Sequence, residues 1–369
     1  MKTVLNIISD SNIGGAGRVL TNYLTHNDNK TYRTAIALPK GSALMPELAP
    51  FDCEVYEIDG LQNRSYHRND VKTITDLLKS HPPDLVHTHG ALSGRIAAKR
   101  VGIPVVFTRH SVFPTSPKMK IPPVRWFNGA LNLHYSDAII AVSPAAAQNL
   151  IESGVPKDRI TIVMNGVAPL TKSSTEQTEA LKKTLNIPPN TTVFGIFARL
   201  EPYKGHSLLL QAMEELQSRG GQAHLLIAGA GECEADLRDE IQRRNLTKYV
   251  SLLGFRKDVP DLLSLVDVQL NTSYGTEATS MALLEGMSLS IPSIVSDFGG
   301  NPYLIDQNGL IFPSRDHMAL ATAMETLIQN PEKRIQMGNR ALEKYNAEFT
   351  AEIFVKNTQR VYHDLLKGN

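Results

Sequence analysis

Cysteine is almost missing. Cys53 and Cys233 are the only two in 369 residues, and they lie far apart, in no CxxC or Cys/His cluster. That argues against a disulfide framework or a zinc site, and it suits a reducing cytoplasm. An excess of charge of either sign is missing too: the net charge is +1, so bulk nucleic-acid binding is not expected and any basic patch must be local. No stretch approaches the ~18 apolar residues of a membrane span. The opening MKTVLNIISDSN has one lysine and too short an apolar run for a signal peptide. Asp-x-Asp occurs nowhere, which removes a common carboxylate pair for holding a metal; "ECE" at 232–234 is the nearest imitation and reads as a turn.

What is present is a repeated alternation. The chain is too long for one core of ordinary size, so two domains are expected. Short β-branched runs recur between helix-like segments: VLNIIS (4–9), TAIAL (34–38), EVYEI (54–58), LVHTH (85–89), VVFTRH (105–110), AIIAVS (138–143) and ITIVMNGV (160–167). A polar stretch, PLTKSSTEQT (169–178), reads as a linker, after which the pattern restarts with VFGIFARL (193–200), HLLIAGA (224–230), VSLLGF (250–255), VQLNTS (268–273), PSIVSD (292–297) and GLIFP (309–313). Strands alternating with helices imply parallel sheets. The fold class is therefore α/β, with two tandem doubly wound Rossmann-like domains and ligands in the cleft between them. The domains are set at 1–168 and 169–345, with a C-terminal helix, 346–369, packing back on the first.

Four stretches carry candidate chemistry. In SNIGGAGRVL (11–20), Gly14 and Gly15 follow a strand and open a helix, leaving backbone N–H groups for an anion. The spacing is neither the dinucleotide fingerprint nor a P-loop. GAGECE (229–234) reads as a turn. ARLEPYKG (198–205) ends a strand with Arg199 and Lys204, a planar fork and a mobile point charge that together suit a diphosphate. SYGTEATSMALLEGMS (273–288) holds Glu277 and Glu285 in an otherwise small and apolar segment. Thr279 or Ser280 is a natural helix start, aiming N–H groups at a bound anion. Buried carboxylates need partners; sugar hydroxyls at the two ends of a nucleotide sugar would supply them, with the helix spacing the two carboxylates by about 12 Å.

These stretches together resemble the family 4 glycosyltransferases of the GT-B fold. The matching motifs are Glu277-x7-Glu285, ARLEPYKG, NGV at 165–167, GGAGRV in the first loop, the Gly254–Leu263 stretch GFRKDVPDLL, and the pair Gly299 and Gly300. Gly17, Ala278 and Tyr303 depart from the family pattern, two of them at positions lining the cleft. The resemblance implies a retaining transferase acting on a nucleotide-diphosphate sugar, a UDP-sugar being the expected donor. It needs no divalent metal or other cofactor: Arg199, Lys204 and the helix start would stabilise the departing diphosphate. Donor contacts are expected from Gly14, Gly15, Gly254, Phe255, Arg256, Thr279, Ser280, Met281 and Glu285. Glu277 would hold the sugar, and a front-face route leaves it no nucleophilic role. His110, ending VVFTRH, resembles the family histidine that contacts the donor sugar; His87 and His89 of VHTH are weaker candidates, and without a third ligand they make no metal site.

The acceptor is expected to be a saccharide or lipid-linked saccharide of bacterial cell-surface assembly. Arg18, Arg64, Arg68 and His89 are its candidate contacts. The segment 118–127 mixes Lys118, Lys120 and Arg125 with Ile121, Val124, Trp126 and Phe127. It reads either as a connection packed on the sheet or as a contact with an anionic membrane. The expected location is cytoplasmic, at the inner membrane face if that contact holds. A sugar-nucleotide epimerase of the same fold and a non-catalytic sugar-nucleotide-binding subunit are the alternatives.

Overall fold

The structure is a computed structural model that describes residues 1–11, 14–62 and 64–367, with Lys120 described by its backbone alone. The chain divides into two compact units, Met1–Gly166 with Ala351–Asn369, and Val167–Thr350.

The first unit is a seven-stranded sheet. Its strands are β1 (Lys2–Ile8), β2 (Tyr32–Pro39), β3 (Glu54–Ile58), β4 (Leu85–His89), β5 (Val105–Arg109), β6 (Ala138–Ala141) and β7 (Ile160–Ile162), in the order β3-β2-β1-β4-β5-β6-β7. Every pairing is parallel. Alternate residues of a strand point to opposite faces, and both faces are covered. Leu5, Ile7, Ala35 and Ala37 join one core with Val71, Ile74 and Leu78; Ile8, Ile36 and Leu38 join another with Leu20 and Leu24 of the helix Gly15–His26. Hence the strands read as unbroken apolar runs rather than an apolar–polar alternation. The helix Ala351–Lys367 also lies in this unit, its Tyr362 set edge-on to Tyr32 at 5.5 Å and to Tyr23 at 6.3 Å.

The second unit repeats the plan with β8 (Thr192–Phe197), β9 (Ala223–Ala228), β10 (Val250–Gly254), β11 (Val268–Asn271), β12 (Ser293–Ser296) and β13 (Gly309–Phe312), ordered β10-β9-β8-β11-β12-β13. Phe194, Ile196 and Leu225 enter one core, Val193 and Leu226 the other.

Two expectations need correction. The polar linker is shorter than 169–178, because Ser174 and Gln177 form a reciprocal capping box and the helix Thr175–Thr184 starts inside it. Several strands also stop before their apolar runs do. Past β11, Ser273 N–H donates to the Asn271 side chain (3.1 Å) rather than to a neighbouring strand, so the last residues of VQLNTS are loop. ITIVMNGV likewise ends as strand at Ile162.

Candidate active site

In the second unit the strand order reverses between β8 and β11, which pair side by side. Open α/β sheets bind ligands beyond the carboxyl ends of such strands. The loop after β8 carries Arg199 and Lys204; the loop after β11 carries Glu277 and leads into the helix Met281–Ser288. Thr272 Oγ1 donates to Lys204 O (2.7 Å) and Tyr274 N to Tyr203 O (2.9 Å), which ties the loops together. Gly205 permits this approach: its φ is +76°, and a Cβ there would lie 2.4 Å from Thr272 O.

Glu277 is 8% exposed and accepts three hydrogen bonds on Oε2, from Lys204 Nζ (2.8 Å), Asn271 Nδ2 (3.1 Å) and Ser273 Oγ (3.1 Å). The expectation that a ligand partners this carboxylate is therefore corrected. The protein supplies the partners, since an unpaired buried charge would cost several kcal/mol in the unliganded protein. Beneath the loop, Asn301 Nδ2 donates to Asn271 Oδ1 (3.2 Å) and Ser296 Oγ (3.0 Å). Gly300 N–H reaches Glu277 O at 2.9 Å, and a Cβ on Gly300 would meet Ala278 O at 1.7 Å, so the double glycine seats the Glu277 loop.

Arg199 differs from Lys204. Its guanidinium is 63% exposed and steered by Glu201 Oε1 (3.3 Å) and Tyr203 Oη (2.5 Å). Glu285 is half-buried on the helix Met281–Ser288, whose N-cap is Ser280, accepting from Leu283 N (3.4 Å). Because that helix begins at Met281, Glu277 precedes it. The eight-residue helical spacing is thus corrected: only the steps from Met281 to Glu285 are helical, about 6 Å of rise. Thr279 is buried at the helix mouth, and Met281 is half-buried. Gly254 ends β10 and is followed by Phe255, 65% exposed. Arg256 is forked onto Asp258, with Nε at 2.7 Å from Oδ1, so its charge already has a partner. GAGECE is a turn, tied by Leu200 N to Ala230 O (2.9 Å).

In the first unit, β4 and the end of β5 bring three imidazoles together. His87 meets Tyr362 Oη through Nδ1 (2.7 Å) and Thr108 Oγ1 through Nε2 (2.6 Å). His89 Nδ1 lies 2.7 Å from His110 Nε2, and His89 Nε2 lies 3.1 Å from Asn6 Oδ1. Burial pushes all three toward the neutral form: His89 falls to about 4, while His87 and His110 lie well below the usual imidazole value, lowered further by neighbouring rings. His89, expected to contact an acceptor, instead has both nitrogens engaged and stands behind His110.

The other three acceptor candidates are engaged or exposed. Arg64 is forked onto the buried Asp70 (3.0 and 2.7 Å), which answers a buried carboxylate rather than a ligand. Arg68 is exposed at the start of the helix Arg68–Ser80. Arg18 is exposed on the helix Gly15–His26, which Gly14 opens without a side-chain cap and whose first residue, Gly15, is exposed. Asn12 and Ile13 of that loop lie outside the described residues. Gly17 is buried, and a Cβ there would lie 3.3 Å from Leu44 Cδ1, so any side chain at this position would need Leu44 to shift.

The segment 118–127 is not packed on the sheet. Trp126 and Phe127 are each 70% exposed and Ile121 51%, while in the helix Pro122–His134 only Gly129 is buried. Polar bonds attach this helix: Asn128 Nδ2 to Ser153 O (2.6 Å), Arg125 to Ile151 O (3.1 Å), and Arg95 to Asn132 Oδ1 (2.9 Å). The Lys120 side chain lies outside the described residues. Among the described residues no helix is long and apolar enough to cross a membrane.

Residues 13–169 match the family model "Glycosyltransferase Family 4", and residues 177–344 match "Glycosyl transferases group 1". The chain belongs to the family 4 glycosyltransferases. This family 4 member is 31% identical over 62% of its length to the UDP-Gal:alpha-D-GlcNAc-diphosphoundecaprenol alpha-1,3-galactosyltransferase of Escherichia coli, covering 62% of that protein. It is 23% identical over its whole length to the N-acetyl-alpha-D-glucosaminyl L-malate synthase of Bacillus anthracis, covering 99% of it. The chain spans 57–62% of the length of the galactosyltransferase and of four other curated relatives. Among solved structures, Anabaena HepE in complex with UDP and glucose superposes with a TM-score of 0.85 at 22% identity, over 98% of this chain and 100% of that one. The fold is thereby GT-B, two Rossmann-like domains in tandem.

Sequence reasoning missed Asn271, Ser273 and Asn301 around Glu277, and Asn6 behind His89. The available signal was polar residues at the ends of apolar strands, NTS after VQL and Asn6 inside VLNII.

Proposed function

We propose that the protein is a retaining, metal-independent glycosyltransferase that moves a sugar from a UDP-sugar to a saccharide or lipid-linked acceptor in bacterial cell-surface assembly. The observation that carries this reading is the buried Lys204–Glu277 pair at the strand-order reversal, with Arg199 beside it on the same loop. Departure of a nucleoside diphosphate develops negative charge. Preorganised cations aimed at it supply the stabilisation that many transferases draw from a metal held by Asp-x-Asp, a motif this sequence lacks. Glu277 offers its second oxygen to sugar hydroxyls. An oxygen held by three donors is a poor nucleophile, which favours front-face attack assisted by the leaving phosphate over a covalent intermediate. Glu285 binds the ribose, Phe255 offers an exposed apolar face to the donor, and His110 contacts the sugar. The names of two relatives, one for a UDP-Gal and diphosphoundecaprenol transferase, one for a complex with UDP and glucose, support the donor and acceptor classes.

The exposed apolar face of the helix Pro122–His134, flanked by Lys118 and carrying Arg125, supports docking on the anionic inner leaflet, where a lipid-linked acceptor would reside. The protein would then work in the cytoplasm at the inner face of the membrane.

The test is a thermal-shift panel of UDP-, GDP- and ADP-sugars followed by transfer assays. A UDP-sugar at a hundredfold over its Kd should stabilise by about 2.7 kcal/mol. No shift with any nucleotide sugar would refute the reading; binding without a new glycosidic bond would leave a binding subunit. Turnover abolished by EDTA and restored by manganese or magnesium would overturn metal independence.

A further inference from the structure

We infer that Asn6 and His89 fix the tautomer of His110, so that His110 presents a bare Nδ1 as an acceptor for a hydroxyl of the bound sugar. The ligand half deepens the reading above and rests on it; the tautomer half concerns this chain alone. The bonds run in one direction. Asn6 turns Oδ1 toward His89 Nε2 at 3.1 Å, and a carbonyl oxygen only accepts, so His89 carries its hydrogen on Nε2. A neutral imidazole has one N–H, which leaves His89 Nδ1 bare. That atom lies 2.7 Å from His110 Nε2, so His110 donates from Nε2. Its own hydrogen thus placed, His110 keeps a bare Nδ1, which is buried and meets no hydrogen-bond partner.

The surroundings hold this arrangement. Burial keeps both rings neutral, and they meet edge to edge, with centroids 5.0 Å apart and planes 29° from parallel. His87 does not compete, because its nitrogens face the hydroxyls of Tyr362 and Thr108, each able to donate or accept. Asn6 and His89 are therefore positioning residues, acting on the sugar only through His110. A lone pair at Nδ1 favours a ligand bearing an O–H there, and rejects one that offers only an acceptor.

The test uses the full-length protein with 15N-labelled histidine. Long-range proton–nitrogen correlations report which ring nitrogen of His110 is protonated, and His110→Gln assigns the signals by their loss. A protonated Nε2 and a bare Nδ1 are expected; hydrogen on Nδ1 would overturn the inference. Asn6→Leu removes the acceptor, so mixed tautomers and about tenfold weaker transfer are expected, the worth of roughly one hydrogen bond, with UDP affinity unmoved. Transfer as strong in Asn6→Leu as in the native protein overturns the ligand half. The expected tautomer in a protein that binds no UDP-sugar also overturns the ligand half, together with the proposed function, and is told apart from a failed relay by the spectrum itself.

Discussion

At the ends of β4 and β5 the first unit buries three uncharged imidazoles, whereas at the ends of β8 and β11 the second buries an ammonium and a carboxylate 2.8 Å apart. The two sheets share a strand order for six strands. What differs is how each solves the cost of burying titratable groups. A group can lose its charge, as the histidines do, or find a partner of opposite charge, as Glu277 does. The first solution leaves neutral donors and acceptors suited to hydroxyls. The second leaves fixed charge suited to a diphosphate.

The sharpest way to break this contrast is to remove one partner from the charged site. Lys204→Met strands Glu277 and should cost about 3–5 kcal/mol of stability. Adding Glu277→Gln should recover most of that loss in urea melts, while transfer stays absent. A single variant as stable as the native protein would show that the pair is not the buried linchpin described.

The histidine side should break with pH. A histidine whose folded value is depressed contributes stability that is present above its unfolded value and lost as pH falls through the folded one. For His89, lowered from 6.5 to about 4, the window runs from pH 6.5 down to about 4. A shift of that size is worth roughly 3 kcal/mol. Denaturant midpoints measured across this range should fall steeply, and less steeply in His89→Gln.

Smaller effects separate the two carboxylates. Glu285→Ala should weaken UDP binding about tenfold, the loss of one or two hydrogen bonds; Glu277→Gln should leave UDP binding nearly intact and abolish transfer. Equal loss in both variants would contradict their assignment. Smallest of all in stability is Trp126→Ser with Phe127→Ser, within about 0.5 kcal/mol because both side chains are exposed. That variant should nevertheless lose sedimentation with anionic vesicles, and unchanged sedimentation would detach the helix from the membrane.

Every strand was legible as an apolar run, because covered parallel sheets need apolar side chains on both faces. The positions of Arg199, Lys204, Glu277 and His110 beyond strand ends were legible for the same reason. What the sequence hid were the partners. Nothing in the spacing of Lys204 and Glu277, 73 residues apart, says that they pair, nor that Arg64 is engaged by Asp70. Such pairings depend on which loops the strand order makes neighbours. Asn6 was hidden more deeply, a polar side chain inside an apolar strand whose purpose appears only beside His89.

The most direct test of the contrast is a calorimetric titration of UDP and of UDP-glucose into the native protein, Arg199→Ala and His110→Gln. Arg199→Ala should weaken both ligands alike, because charge serves the diphosphate that they share. His110→Gln should leave UDP affinity unchanged and weaken only UDP-glucose, by about tenfold for one lost hydrogen bond. A loss of UDP affinity in His110→Gln equal to that in Arg199→Ala would contradict the division of labour between the neutral and the charged site.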